Sequence, residues 1–239
     1  MELHRYKNSE ALSEAAAEWI TNHIASTLSA NPRFTIALSG GNTPKRLHQL
    51  LSRPPYSDRI DWSRMHVFWG DERAVPFTDP RNNAKMAFDT LLDFVPVPAG
   101  QIHVMKTDIK PEQSATEYER LLHEYFDGKP TSFDLVLLGL GDNAHTLSLF
   151  PGMPVIHEER AWAQAFFLPE QDMYRITLTR PIVNKASAIA FLTEGASKAP
   201  ALKEVLEGPY NPDLYPAQVI KPVGELHWFV DEAAASALK

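Results

Sequence analysis

Hydrophobic and polar positions alternate along the chain with two different periods, and the switches between them predict the elements. Leu12, Ala16, Trp19, Ile20, Ile24 and Leu28 fall on one face of a helix over Ser9 to Ala30. Phe34 to Leu38 is a short apolar strand, followed by Ser39-Gly-Gly-Asn-Thr-Pro44 and a helical segment to Leu51. Met65 to Trp69 predicts a second strand, ending at Gly70-Asp-Glu-Arg73. Helical spacing returns over Asn82 to Leu92 and Pro111 to Phe126. A third strand is expected over Asp134 to Leu138, with others at Arg175 to Leu178, Ala188 to Leu192 and Glu225 to Val230. Lys198 to Leu206 predicts a helix, and Asp231 is placed to cap an Ala-rich terminal one. Strands alternating with helices predict an α/β, Rossmann-like, mostly parallel sheet flanked by helices. Pro-rich patches at Arg53 to Tyr56, Val95 to Ala99 and Gly208 to Pro216 read as loops. Without a repeat or a linker, residues 1–239 are expected to form a single domain.

The richest stretch is Phe133 to Gly152. An apolar run, Leu135 to Leu138, stops at Gly139-Leu-Gly141, and a polar cluster of Asp142, Asn143, His145, Thr146 and Ser148 follows. A strand apolar on both faces belongs inside a parallel sheet, whose ligands lie beyond the carboxyl ends of the strands. His145 is therefore placed where a general base is useful, since an unperturbed imidazole titrates near neutrality. It also suits a helix-start residue that only bonds nearby backbone.

Three other segments carry candidate chemistry. In Ser39-Gly40-Gly41-Asn42-Thr43, glycines permit close backbone approach, Thr43 suits an N-cap and Pro44 the first helical position. Free N–H groups and the helix dipole then make a phosphate site, although an ordinary strand-to-helix turn has the same composition. The loop is neither GxGxxG nor a Walker loop, so no nucleotide cofactor is implied. Asp71, Glu72 and Arg73 follow a strand directly, where charges are costly to bury unless paired or used. Arg175 and Lys198 fall on the same rim of the sheet and offer a guanidinium fork and a point charge; as isolated residues both also read as surface cations.

Composition narrows the partners. A net charge of −7 argues against a broad nucleic-acid surface and requires any anionic ligand to meet a local cationic pocket. The chain has no cysteine, and its histidines show no HxH or HExxH spacing, so no metal is expected. No apolar run reaches the roughly 18 residues needed to span a membrane, and residues 1–10 have no apolar signal core. The expected location is the cytoplasm.

Taken in order, these motifs resemble the 6-phosphogluconolactonase family over nearly the whole chain. Ser39 to Pro44 is similar to its phosphate loop, and Phe68-Trp-Gly-Asp-Glu-Arg-Ala-Val-Pro76 to its GDERxVP signature. Asn82-Asn83 stands where the family usually has Ser-Asn. Gly139 to Gly152 is similar to GLGxDGHTASLFPG. Tyr174 to Thr179, Gly195 to Lys198 and Leu226 to Ala234 match later blocks. The resemblance implies hydrolysis of 6-phospho-D-glucono-1,5-lactone in the oxidative pentose phosphate pathway, on a fold shared with glucosamine-6-phosphate deaminases and without a cofactor. It implies that Ser39, Gly40, Gly41, Asn42, Thr43, Arg175 and Lys198 hold the phosphate. His145 activates water, and Asp71 and Arg73 line the sugar end, Arg73 stabilising charge on the carbonyl oxygen. The implied partner is a sugar phosphate only, on a monomer or weak homodimer.

Two positions depart from the pattern. Asn143 replaces an aspartate, so it can accept a hydrogen bond from the imidazole but brings no charge. Ala144 replaces a glycine, and a positive φ there predicts strain of roughly 1–2 kcal/mol. Two alternatives follow. A deaminase or isomerase of the related family has a glutamate where Phe150 stands, and DEY where this chain has Asp71-Glu72-Arg73. A sugar-phosphate-binding homologue with weakened catalysis is motivated by Asn143 and Ala144.

Overall fold

The computed structural model describes residues 1–239. Nine strands are present: β1 (Glu2–Tyr6), β2 (Phe34–Leu38), β3 (Met65–Trp69), β4 (Asp71–Arg73), β5 (Leu135–Gly139), β6 (Ala163–Leu168), β7 (Met173–Leu178), β8 (Ala188–Thr193) and β9 (Glu225–Asp231). The helices are α1 (Ser9–Ala30), α2 (Asn42–Leu51), α3 (Tyr56–Arg59), α4 (Asn83–Thr90), α5 (Pro111–Phe126), α6 (Arg180–Val183) and α7 (Ala199–Glu207). Six strands form one parallel sheet in the order β1-β9-β8-β5-β2-β3. This is the expected α/β architecture.

The period of two along the central strands divides the interior into two cores. Leu135 and Leu137 of β5, with Ala188, Ala190 and Leu192 of β8, face one layer, built on Leu12, Ile20 and Ile24 of α1 and Leu47 of α2. Val136, Leu138, Ile189 and Phe191 face the other, with Tyr118 and Leu122 of α5 and Leu202 of α7. Both faces of each strand are dry, which is why these segments read as continuous apolar runs.

A second, antiparallel sheet accompanies the parallel one. β4, β7 and β6 form a three-stranded antiparallel sheet, with Arg73 opposite Arg175. Gly70 links the two sheets: its N–H donates to the Leu38 carbonyl at 2.8 Å, and its carbonyl accepts from Leu178 N–H at 2.8 Å. The Asp-Glu-Arg run is thus a buried strand, not a loop, and Asp71 and Glu72 are both enclosed. β5 begins one residue later than expected because the Asp134 carboxylate itself accepts the Thr35 N–H at 2.7 Å, replacing a rung of the ladder. Asp231 accepts the Ala234 N–H at 2.7 Å, but the segment it caps is one 3-10 turn.

Candidate active site

The carboxyl ends of β2, β3, β5 and β8 surround a polar cleft of about 180 Å³. Ser39, Gly40, Gly41, Asp71, Arg73, His145, Arg175 and Lys198 line it, together with Asn83 and Thr146. Asn42, Thr43 and Asn143 are not on its wall.

Gly41, at φ 107°, is the N-cap of α2, and no side chain caps the helix. This corrects the sequence expectation: Thr43 lies inside the first turn and Pro44 one position further on. The α2 N–H groups nearest the loop have neither an intrahelical carbonyl nor a side-chain acceptor. Gly40 is required by a close approach, since a Cβ there would lie 1.9 Å from Asn83 Oδ1. Asn83, whose Nδ2 donates to the Asp71 carbonyl at 2.9 Å, therefore joins the phosphate-type loop to β4.

His145 occupies a loop, not a helix start. Ala144 has φ 62° and Leu147 has φ 54°, so the chain makes two left-handed steps around the histidine. Asn143 Oδ1 accepts from the His145 backbone N–H at 3.3 Å and lies 2.6 Å from its Nδ1. The backbone contact identifies this atom as the amide oxygen, which can only accept. Nδ1 therefore carries the ring proton, and Nε2 keeps a free lone pair. Phe150 stacks on the ring with centroids 4.2 Å apart. On another side a Gly141 Cβ would lie 2.0 Å from Nδ1, so only glycine admits the ring there. Burial, relieved in part by Asp71 and reinforced by the cations Arg175, Lys198 and Arg73, lowers the imidazole pKa to about 4. It is neutral at pH 7.

Arg175 and Asp71 form a buried ion pair with Nη2 to Oδ2 at 2.9 Å. Ser148 completes a triangle, donating to Asp71 at 2.7 Å and accepting from Arg175 Nε at 2.9 Å. Burial alone would push the Asp71 carboxyl up, but Arg175, then Arg73 and the Ser148 bond, hold it below the usual range. Arg175 also donates to Gln171 at 3.1 Å. Three of its five N–H groups are thus used and two remain. Lys198 meets Asp142 at 2.6 Å at the mouth of the cleft. Arg73 donates through Nη1 to the Arg81 carbonyl at 2.8 Å, while its Nε and Thr146 Oγ1 are buried without protein partners.

Asn83, Ser148 and Thr146 join the site without any signal in the linear sequence that marks them as site residues. Ser148 and Thr146 were visible as polar residues in the run after β5, but nothing in linear spacing tied Ser148 to Asp71. Asn83 had only its place in the Asn82-Asn83 pair.

A neutral imidazole facing a cluster of cations, at the carboxyl ends of parallel strands, defines an α/β protein built to handle a small anion. The family model described as glucosamine-6-phosphate isomerases/6-phosphogluconolactonase matches residues 7–228. A 6-phosphogluconolactonase of Synechocystis sp. is 40% identical over 237 residues, covering 97% of this chain and 96% of that one. The chain belongs to this family. The structure of 6-phosphogluconolactonase from Trypanosoma brucei is 25% identical, with a TM-score of 0.89 and coverage of 100% and 98%. A monomeric glucosamine-6-phosphate deaminase, 22% identical over 99% of this chain and 100% of that chain, shares the fold with a TM-score of 0.85.

Proposed function

We propose that this chain hydrolyses 6-phospho-D-glucono-1,5-lactone to 6-phospho-D-gluconate, the lactonase step of the oxidative pentose phosphate pathway. The observation that carries this reading is the His145 tautomer: Asn143 holds the Nδ1 proton, and Nε2 is the free base in a cleft otherwise rich in cations. Nε2 takes a proton from water as the oxygen attacks the lactone carbonyl carbon. Arg73 stabilises the charge that grows on the carbonyl oxygen. The ring C–O bond then breaks, and the imidazolium returns its proton to the departing ring oxygen. No covalent intermediate is needed, because a lactone is an activated ester.

The phosphate sits against Ser39, Gly40 and Gly41 at the open start of α2, Lys198 and the free N–H groups of Arg175, with Asn42 and Thr43 contributing at most their backbone N–H groups. Asp71 lines the cleft and fixes the Arg175 fork both directly and through Ser148. The deaminase alternative is disfavoured because the position of its glutamate is Phe150, which stacks on the histidine. We further infer a cytoplasmic monomer or weak homodimer, with residues 1–239 as one domain. No helix is long and apolar enough to cross a membrane.

The test is acid release from freshly generated lactone at low temperature, compared with the spontaneous rate, beside ammonia release from glucosamine 6-phosphate. Rapid lactone turnover without ammonia is expected. Ammonia release without lactone turnover would reassign the site to the deaminase class, and 6-phosphogluconate binding without either reaction would reduce it to a binding protein.

A further inference from the structure

At the edge of the main sheet, β1 and β9 each carry the tripeptide Glu-Leu-His, as Glu2-Leu3-His4 and Glu225-Leu226-His227. The strands are parallel, with Glu2 opposite His227. Glu2 and His4 share a face by the period of two. Their ligand atoms converge: Glu2 Oε2 lies 3.7 Å from His4 Nε2 and 3.6 Å from His227 Nδ1, and the two ring nitrogens are 3.1 Å apart. Bonds of about 2.0–2.1 Å to a tetrahedral zinc ion place its ligand atoms about 3.4 Å apart. The observed triangle has nearly that size.

The protons point the same way. His227 Nε2 lies 3.1 Å from Glu225 Oε2, and a carboxylate there takes the N–H. The His227 Nδ1 lone pair is then turned inward, the arrangement by which a carboxylate prepares a histidine for a metal. A proton on His4 Nε2 can satisfy one of its two neighbours. The contact between His227 Nδ1 and Glu2 Oε2 remains lone pair against lone pair, and a cation at the centre converts this repulsion into coordination. His227 is only 4% exposed, and Trp19 of α1 lies against its ring at 4.6 Å, so the ring is held in place.

We propose that Glu2, His4 and His227 form a binding site for a divalent ion of the zinc class, with Glu225 holding His227 in the ligand tautomer. Two imidazoles and a carboxylate without thiolate suit such an ion and leave a fourth position for water. The site belongs to the amino-terminal half of the strands, while the cleft lies beyond their carboxyl ends. A bound ion ties the edge strand β1 to β9. Linear spacing could not announce it, because the third ligand lies 223 positions from His4.

The test is calorimetric titration of untagged, EDTA-treated full-length protein with zinc chloride, alongside thermal melts. One ion per chain and a melting temperature that climbs with zinc concentration are expected. His4→Ala and Glu2→Gln, at half-buried and exposed positions, should each weaken binding by at least roughly tenfold, and Glu225→Gln by roughly 10–100-fold. Circular dichroism checks that each variant folds. The absence of saturable one-to-one binding overturns the proposal, as does affinity unchanged in all three variants. So does zinc binding that is lost with His145→Ala but kept with His4→Ala.

Discussion

His145 owes its neutral state to burial and nearby cations that together outweigh one carboxylate. Burial disfavours the imidazolium, three nearby cations repel it, and Asp71 opposes them only in part. Asn143, unlike an aspartate, adds an acceptor without adding charge. The acid limb of kcat/KM should therefore lie near pH 4 rather than near 6.5, read from a pH–rate profile. Asn143→Asp places a carboxylate against Nδ1, raises the imidazole pKa and moves that limb to higher pH. It should also raise kcat by supporting the imidazolium that forms during attack. An unchanged profile would show that residue 143 does not tune the base. His145→Ala should lower kcat by roughly 10²–10⁴-fold while 6-phosphogluconate binding persists in calorimetry. Parental activity in that variant would remove the mechanism. Ala144 presents a separate question of strain. At φ 62° it costs roughly 1–2 kcal/mol relative to a relaxed residue, whereas its buried methyl contributes about 0.8 kcal/mol. Ala144→Gly should then leave stability unchanged or raise it slightly, and a clear fall in melting temperature would refute this balance.

The elements legible in the sequence were those whose pattern has one cause. α1 and α5 have the bounds their spacing predicts because each buries one stripe, and β2 and β3 likewise because each is a mostly apolar run buried on both faces. β1 and β6 were not anticipated. β1 is an edge strand with no fully buried position, and Ala163 to Leu168 shows no alternation because coverage changes along the strand rather than between its faces. β4 was hidden by its charges: Asp71 and Glu72 are tolerated inside only because Arg175 and the backbone of Arg73, Asn83 and Ala84 receive them. The cleft was legible as a set of strand ends. The Asp71–Arg175–Ser148 triangle was not, since it joins three elements that only the second sheet brings together. Its consequence is a division of labour among the cations. Lys198 meets solvent and Arg175 does not, yet each should contribute a charged hydrogen bond to the phosphate, worth roughly 1.5–3 kcal/mol. Lys198→Ala and Arg175→Ala are therefore expected to raise KM strongly. Arg175→Ala should also lower stability, because it leaves the Asp71 carboxylate buried and unpaired. Parental affinity for 6-phosphogluconate in both variants would free the phosphate from these residues.

At the scale of the whole molecule, an acidic chain concentrates cations at one end of its sheet and holds several histidines wholly or partly out of water. The first has a consequence for metal dependence. The chemistry assigned to the cleft runs on an imidazole and a guanidinium, and the proposed zinc site belongs to the other half of the strands. Lactonase activity should therefore survive EDTA and dialysis; loss of activity restored by one divalent ion would overturn that separation. The second consequence is a stability that depends on pH. Burial lowers His48 to about 4, and burial with neighbouring charges lowers His103 and His145 to about 4 as well. In the unfolded chain the same groups titrate near 6.5. Below about pH 6.5 the unfolded chain binds protons that the folded one refuses, so the fold loses stability until the pH reaches about 4. Glu72 acts in the opposite direction. Burial raises it to about 7 against the pull of three backbone N–H groups, so the fold gains from its protonation between about 7 and its ordinary value of 4.5. Burial also lowers His4 and His66, so histidines outweigh the one carboxyl and unfolding takes up protons on balance in this window, each worth about 1.4 kcal/mol per pH unit. Denaturant midpoints should fall steadily from pH 6.5 to pH 4.5. His48→Gln, which removes the most enclosed imidazole, should flatten the slope by about one proton. A midpoint independent of pH across this range would mean that the buried histidines are not held neutral by the fold.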